Sequence, residues 1–329
     1  MKNLSYIKKF IHYSSLSVLG TLAVSCYILA DTYFISKGLG AKGLAALNIA
    51  IPVYNFIYGI GLMFGMGGAT IFSICKNKDA LKKSNTIFTT TSCIALLLGF
   101  LFAAAGLFFS TPLAAFLGAD SNILMMTDTY LKWLLLFSPA FVMNNIMLCF
   151  VRNDNAPLLS TSAMLIGNFS NIILDYIFIF PMQMGMFGAV FATGLSPIIS
   201  MIIMSLHWLR KRSSFRFTKT KLCWNIIRQD ISLGFPSLIA QVASGLAMII
   251  FNMLILKSEG NIGVAAYGVI ANISLVVIGI YTGISQGMQP LISTSYGHND
   301  KKSIRLGFRC SMAAMLFISC IISVSYTHL

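Results

Sequence analysis

The chain has 329 residues, of which 57% are hydrophobic and only 10% charged, with a mean hydropathy of +0.81. A soluble domain carries about 25% charged residues, so a water-soluble globule is excluded. The formal net charge of +14 would suit nucleic acid in a soluble chain, but here it comes from basic loops between apolar segments, and no nucleic-acid partner is expected.

Apolar runs long enough to cross a bilayer recur along the chain. The first spans about 12–35, after Lys2, Lys8 and Lys9, and is expected to be a retained membrane helix with no cleavable signal. Eight more follow near 44–74, 86–109, 129–151, 157–180, 187–209, 231–256, 264–292 and 306–324. With the N-terminus in the cytoplasm, nineteen of the 23 Lys and Arg fall on the cytoplasmic side, and Lys37, Lys42, Lys132 and Lys257 fall outside. Seven of the nineteen lie from Arg210 to Arg228, in a stretch that reads as a solvated linker.

An internal repeat flanks that linker. A shift of 220 residues brings Ala45-Ala46 onto Ala265-Ala266, Gly59-Ile60 onto Gly279-Ile280, Gly67 onto Gly287 and Lys82 onto Lys302. The shift crosses six spans, an even number, so the copies run parallel about an axis along the membrane normal. The expected fold is all-α and polytopic, a parallel repeat of six-helix bundles. The lobes are 1–209 and 231–329, joined by a basic linker at 210–230. Nine of twelve expected helices are present, so the second lobe has three and the chain reads as truncated.

Within the spans, away from their ends, the only acidic residues are Asp31 and Asp175. A charge at that depth is costly unless paired, hydrated or protonated. Asn171 precedes Asp175 by four residues and shares its helix face. Asp175 reads as a protonatable or cation-binding carboxylate, or alternatively as a structural hydrogen-bonding group. Asp31, near the outer end of its span, reads as its partner or as an interfacial polar residue. Oxygens of Asn171 and Thr193 would complete a small hard-cation site for Na+ or H+, with no other cofactor. Asn144, Asn145, Asn168 and Asn252 are candidates to line a cleft or to hold helices together, and Gly59, Gly61, Gly65, Gly67 and Gly68 to permit close helix packing, the last three alternatively to let a helix bend. The seven Cys are scattered without a CxxC pair, and there is no Walker loop, no HExxH and no recognisable Ser–His–Asp set, so an enzyme is not expected.

Four stretches resemble one family. ILADTYFISKGLGAKGLAAL, NIILDYIFIFPMQMGMFGAVFAT, GFPSLIAQ, and AAYGVIANI with GISQGMQPLISTSYGHND are similar to segments of the multidrug and toxic compound extrusion transporters, in the bacterial MepA-like or DinF-like branch. The resemblance implies twelve helices in two lobes, in a bacterial plasma (inner) membrane. It implies export of organic cations or amphipathic drugs in exchange for sodium or protons. It also implies a cation site in the first lobe at Asp31, Asn171, Asp175 and Thr193; Thr193 enters chiefly on this ground. A monomer is expected. Many relatives carry a Pro early in span one. Here the repeat sets Leu16 opposite Pro236, so a bend in span one needs another hinge, with Gly20 as the candidate. Span seven offers only Gln241 and Ser244 in its middle, which leaves coupling to the first lobe. The rival readings are a lipid or lipid-linked saccharide flippase, which the scarcity of Lys and Arg within spans disfavours, and an inactive truncated fragment.

Overall fold

The computed structural model describes residues 2–76, 81–211 and 213–327, and every regular element among them is an α-helix. In order these are α1 (Lys2–Lys76), α2 (Leu81–Phe116), α3 (Leu124–Leu136), α4 (Ser138–Asn153), α5 (Pro157–Ile179), α6 (Gly185–Leu209), α7 (Trp224–Gly297) and α8 (Lys301–Thr327). Six are long and apolar enough to cross a membrane, or seven if the bent pair α3 and α4 counts as one span. The expected first two spans are the two arms of α1, which meet at Gly40 with φ 69° and ψ −164°. That left-handed backbone is open to glycine and strained for other residues. The expected break between spans seven and eight falls inside α7, in a stretch whose side chains lie largely outside the described residues, Asn252 among them.

The expected span at 129–151 is found as two helices, α3 and α4, that are apolar enough together to cross a membrane but bent by 47°. Pro139 stands in the first turn of α4 and has no N–H to give the carbonyl of Leu135. The Ser138 hydroxyl takes over that carbonyl at 2.5 Å and also lies 2.8 Å from the carbonyl of Gly99 on α2. The bend is therefore fixed by a local substitution of hydrogen bonds.

Helix α1 runs alongside α7 and also packs against α4 and α5, while α5 packs on α6. The glycine-rich second arm of α1 is a packing surface: Gly59 faces Leu238 and Gln241, Gly61 and Gly65 face α4, and Gly68 faces Thr91. The closest approach is to α7. A Cβ on Gly234 would lie 1.8 Å from the carbonyl oxygen of Met63, and one on Gly67 would lie 2.1 Å from that of Asp230. Gly20 is likewise a contact, against Met164, and the first arm of α1 passes it as unbroken helix.

The linker is not a free loop. Phe215 is fully buried, with ring centroids 4.6 Å from Phe88, 5.4 Å from Phe150, 5.7 Å from Phe72 and 5.8 Å from Trp208. Its carbonyl accepts from the Trp208 indole at 3.0 Å. Backbone N–H groups of Ser214, Arg216 and Thr218 donate to Asp154, Asn85 and Thr89 at 2.7, 2.8 and 3.1 Å. Asp154 is also paired with His207 at 2.8 Å. The basic side chains of Arg210, Lys211, Arg216 and Lys219 stay exposed, as expected of a solvated face. Phe215→Ala is expected to cost about 3–5 kcal/mol, the usual penalty for emptying a buried aromatic site. A thermal unfolding curve unchanged by that substitution would show that the strap is not part of the fold.

Candidate functional site

Asp31 sits on the first arm of α1, Asn171 and Asp175 on α5 and Thr193 on α6, and the fold brings all four together. Asp175 and Asn171 are fully buried, and Asp31 is 6% exposed, so the interfacial alternative for Asp31 does not hold. The helical spacing places Asn171 beside Asp175 on one face of α5. With the Asn171 amide oriented by its hydrogen bonds, its nitrogen donates to Asp175 Oδ2 at 3.2 Å and its oxygen accepts from the backbone N of Thr193 at 3.2 Å. Asn171 thus ties α5 to α6 across the site. The Thr193 hydroxyl donates to the carbonyl of Ala189 at 3.1 Å.

Among the described residues neither carboxylate is paired with Lys or Arg, and Oδ1 of Asp31 and Oδ1 of Asp175 have no hydrogen-bond partner. The two groups are near enough to repel one another when both are charged. Two unpartnered oxygens on neighbouring buried carboxylates form an incomplete polar site. A proton on one of them, or a hard cation held by carboxylate, amide and hydroxyl oxygens, satisfies it.

Tyrosines complete the surroundings. Tyr130 on α3 is buried and lies beside Thr193 in the field of both carboxylates. Tyr27 and Tyr54 share a hydroxyl–hydroxyl bond of 2.5 Å, and Tyr54 lies in the field of Asp31. These residues are not among the sequence candidates. One signal was available, because Tyr27 precedes Asp31 by four residues, the same spacing that singles out Asn171.

Beside this cluster lies a small cavity of about 40 Å³. Tyr27, Tyr54, Tyr58 and Phe141 give it aromatic walls, while Asn144, Asn145 and Asn168 supply amides. Three of the four candidate cleft asparagines are therefore found there, and Asn252 lies outside the described residues. Thr193 lines the cavity, and its backbone N–H is bound by the Asn171 amide that also holds Asp175, so it is the physical link between them. No Lys, Arg, Asp or Glu lines the cavity among the described residues. Aromatic faces with a few amides suit an apolar or cationic organic molecule, since ring faces attract cations.

Fold and site together define a multi-pass helical membrane protein with a buried carboxylate pair behind an aromatic cavity. The MatE family model matches residues 17–177 and 236–329, on both sides of the linker, and the chain belongs to that family. It is 28% identical over 297 residues to the multidrug export protein MepA of Staphylococcus saprophyticus, covering 89% of this chain and 65% of that one. It is 26% identical over 320 residues to the protein of the same name from Staphylococcus aureus strain MRSA252, covering 96% and 71%. The chain thus spans about two thirds of the length of these relatives. Among solved structures, it resembles a transporter of the MOP superfamily from Pyrococcus furiosus with a TM-score of 0.87, at 22% identity, over 96% of this chain and 70% of that one. It resembles equally an outward-facing multidrug resistance MATE transporter, with a TM-score of 0.87 at 22% identity, over the same shares. At that identity the likeness establishes the fold.

Proposed function

We propose that this protein is a secondary active antiporter of a bacterial plasma membrane. It exports organic cations or amphipathic drugs in exchange for Na+ or H+, acts as a monomer, and keeps its N-terminus in the cytoplasm. Its lobes are 1–209 and 231–329, joined at 210–230. The observation that carries this reading is the pair of buried carboxylates, Asp31 and Asp175, each with an unpartnered oxygen, beside an aromatic cavity. Relatives named as multidrug export proteins support the cargo class.

The cycle is alternating access. Cargo enters the cavity from the cytoplasm, the lobes rock, and the cavity opens outward. A proton or sodium ion bound at Asp31, Asn171, Asp175 and Thr193 favours the state that releases cargo. Such a switch requires differential affinity of the ion for the two states, because tight binding alone shifts nothing. The route of coupling is Thr193, which lines the cavity and whose backbone N–H is held by Asn171 in the ion site.

The test uses everted membrane vesicles, a fluorescent organic cation, and a sodium or pH gradient imposed one at a time. Uptake driven by one gradient names the ion, and uptake driven by neither overturns the reading. Asn171→Ala leaves Oδ2 of Asp175 without its donor. A buried group stripped of its partner costs about 1–3 kcal/mol. Half-saturation by the coupling ion is therefore expected to shift about tenfold or more, toward lower proton concentration if the ion is H+, because the charged carboxylate has lost its donor, and toward higher concentration if it is Na+, which loses an amide oxygen; an unchanged value would remove Asn171 from the site.

A further inference from the structure

The cavity-lining face of α4 continues past the cavity. Phe141, Asn145 and Leu148 line the cavity, and the next residue on that stripe is Arg152. Arg152 is 3% exposed. Its Nη1 donates to Oε1 of Gln286 on α7 at 2.9 Å, and its Nε has no partner. Among the described residues no carboxylate pairs with it, and the titratable groups beside it are Cys149 and Tyr58. Tyr58 is itself a cavity residue.

The surrounding bonds are neutral and cross the same seam. Asn153 Nδ2 donates to Gln289 Oε1 at 2.8 Å, and the Ser73 hydroxyl donates to Asn153 Oδ1 at 2.6 Å. Gln289 Nε2 donates to the hydroxyl of Thr70 at 2.8 Å. So α1 and α4 are clasped to α7 by amides and hydroxyls around one uncompensated positive charge. In the topology proposed above, this end of α4 faces the cytoplasm.

We propose that Arg152 is the charge barrier of the cytoplasmic gate: its guanidinium, clasped by Gln286 across the seam, keeps cationic cargo and the coupling cation from slipping through while the gate is shut. This rests on the antiporter reading. A fixed charge in a low-dielectric constriction repels like-charged solutes far more strongly than it would in water, and leaves neutral ones unaffected. A glutamine clasp suits the task better than a carboxylate would. It leaves the charge uncompensated, and a hydrogen bond to a neutral amide is easier to release when the lobes part than a buried ion pair.

The experiment reconstitutes the parent, Arg152→Gln and Arg152→Lys in liposomes and follows passive efflux of a preloaded fluorescent organic cation and of a neutral amphiphile, without an ion gradient. In Arg152→Gln, cation leak is expected to rise roughly tenfold or more, the scale on which a charged cleft changes local ion concentration. Arg152→Lys is expected to stay tight, and the neutral probe to be unaffected. Gln286→Glu, which sets a carboxylate against the guanidinium, is expected to leak cations as well, and it serves if Arg152→Gln fails to insert. The proposal is overturned if the charge-removing or charge-pairing variant is as tight as the parent, or if it leaks both probes equally, the mark of a purely steric seal. Gradient-driven export by the parent is measured in the same preparation. Its absence sinks the antiporter reading; its presence alongside a tight Arg152→Gln sinks the barrier alone.

Discussion

Asp175→Asn is expected to reduce gradient-driven export to the level of empty vesicles, while leaving the protein inserted in the membrane. Asn nearly matches Asp in size and keeps an oxygen beside Asn171, so the fully buried pocket on α5 stays filled. What it loses is the charge that attracts a cation and the group that takes up a proton. Asp31→Asn is expected to act the same way, because the two carboxylates interact directly. The check is export under the one gradient that drives the parent. If sodium is that ion, acidification is expected to weaken its action, since protons occupy the same oxygens. Full gradient dependence in Asp175→Asn would make Asp175 a structural residue.

Gly234→Val is expected to abolish transport by a different route. The new Cβ would lie 1.8 Å from the Met63 carbonyl oxygen, which belongs to helix backbone and has no rotamer to escape into. The second arm of α1 and the start of α7 must then part, and the seam that holds Arg152 against Gln286 parts with them. Overpacking of this kind costs about 1–3 kcal/mol, and occasionally more. The expected readout is a lowered thermal unfolding midpoint together with loss of driven export. A Gly234→Val protein as stable and active as its parent would show that the close approach is not maintained in the membrane.

Much of this was legible in the sequence because the membrane imposes simple rules. An acidic residue among Ile, Leu and Phe is conspicuous, and one helical turn of spacing brings in Asn171. The run from Gly59 to Gly68 announced close packing, and each of its glycines meets a neighbouring helix. Other features depend on contacts that no local pattern reveals. Asp31 sits nine residues before the helix break at Gly40, and its burial is decided by the helices packed around it. The apolar run through Pro139 hides a bend, because hydropathy does not register a missing N–H. Phe215 lies among basic residues and looks like linker, and only its rings' distant partners Phe72, Phe88 and Phe150 make it core. Tyr130 is an ordinary tyrosine in a span until α6 brings Thr193 to it.

The central claim is that Asp31, Asn171, Asp175 and Thr193 hold the coupling ion. The most direct measurement is ion binding to the purified protein: equilibrium binding of radioactive sodium, and proton release or uptake on adding cargo, for the parent, Asp31→Asn and Asp175→Asn. The account predicts that the parent binds sodium in competition with protons, or exchanges a proton when cargo is added, and that both variants lose the response. Variants that bind and release the ion as the parent does would contradict it.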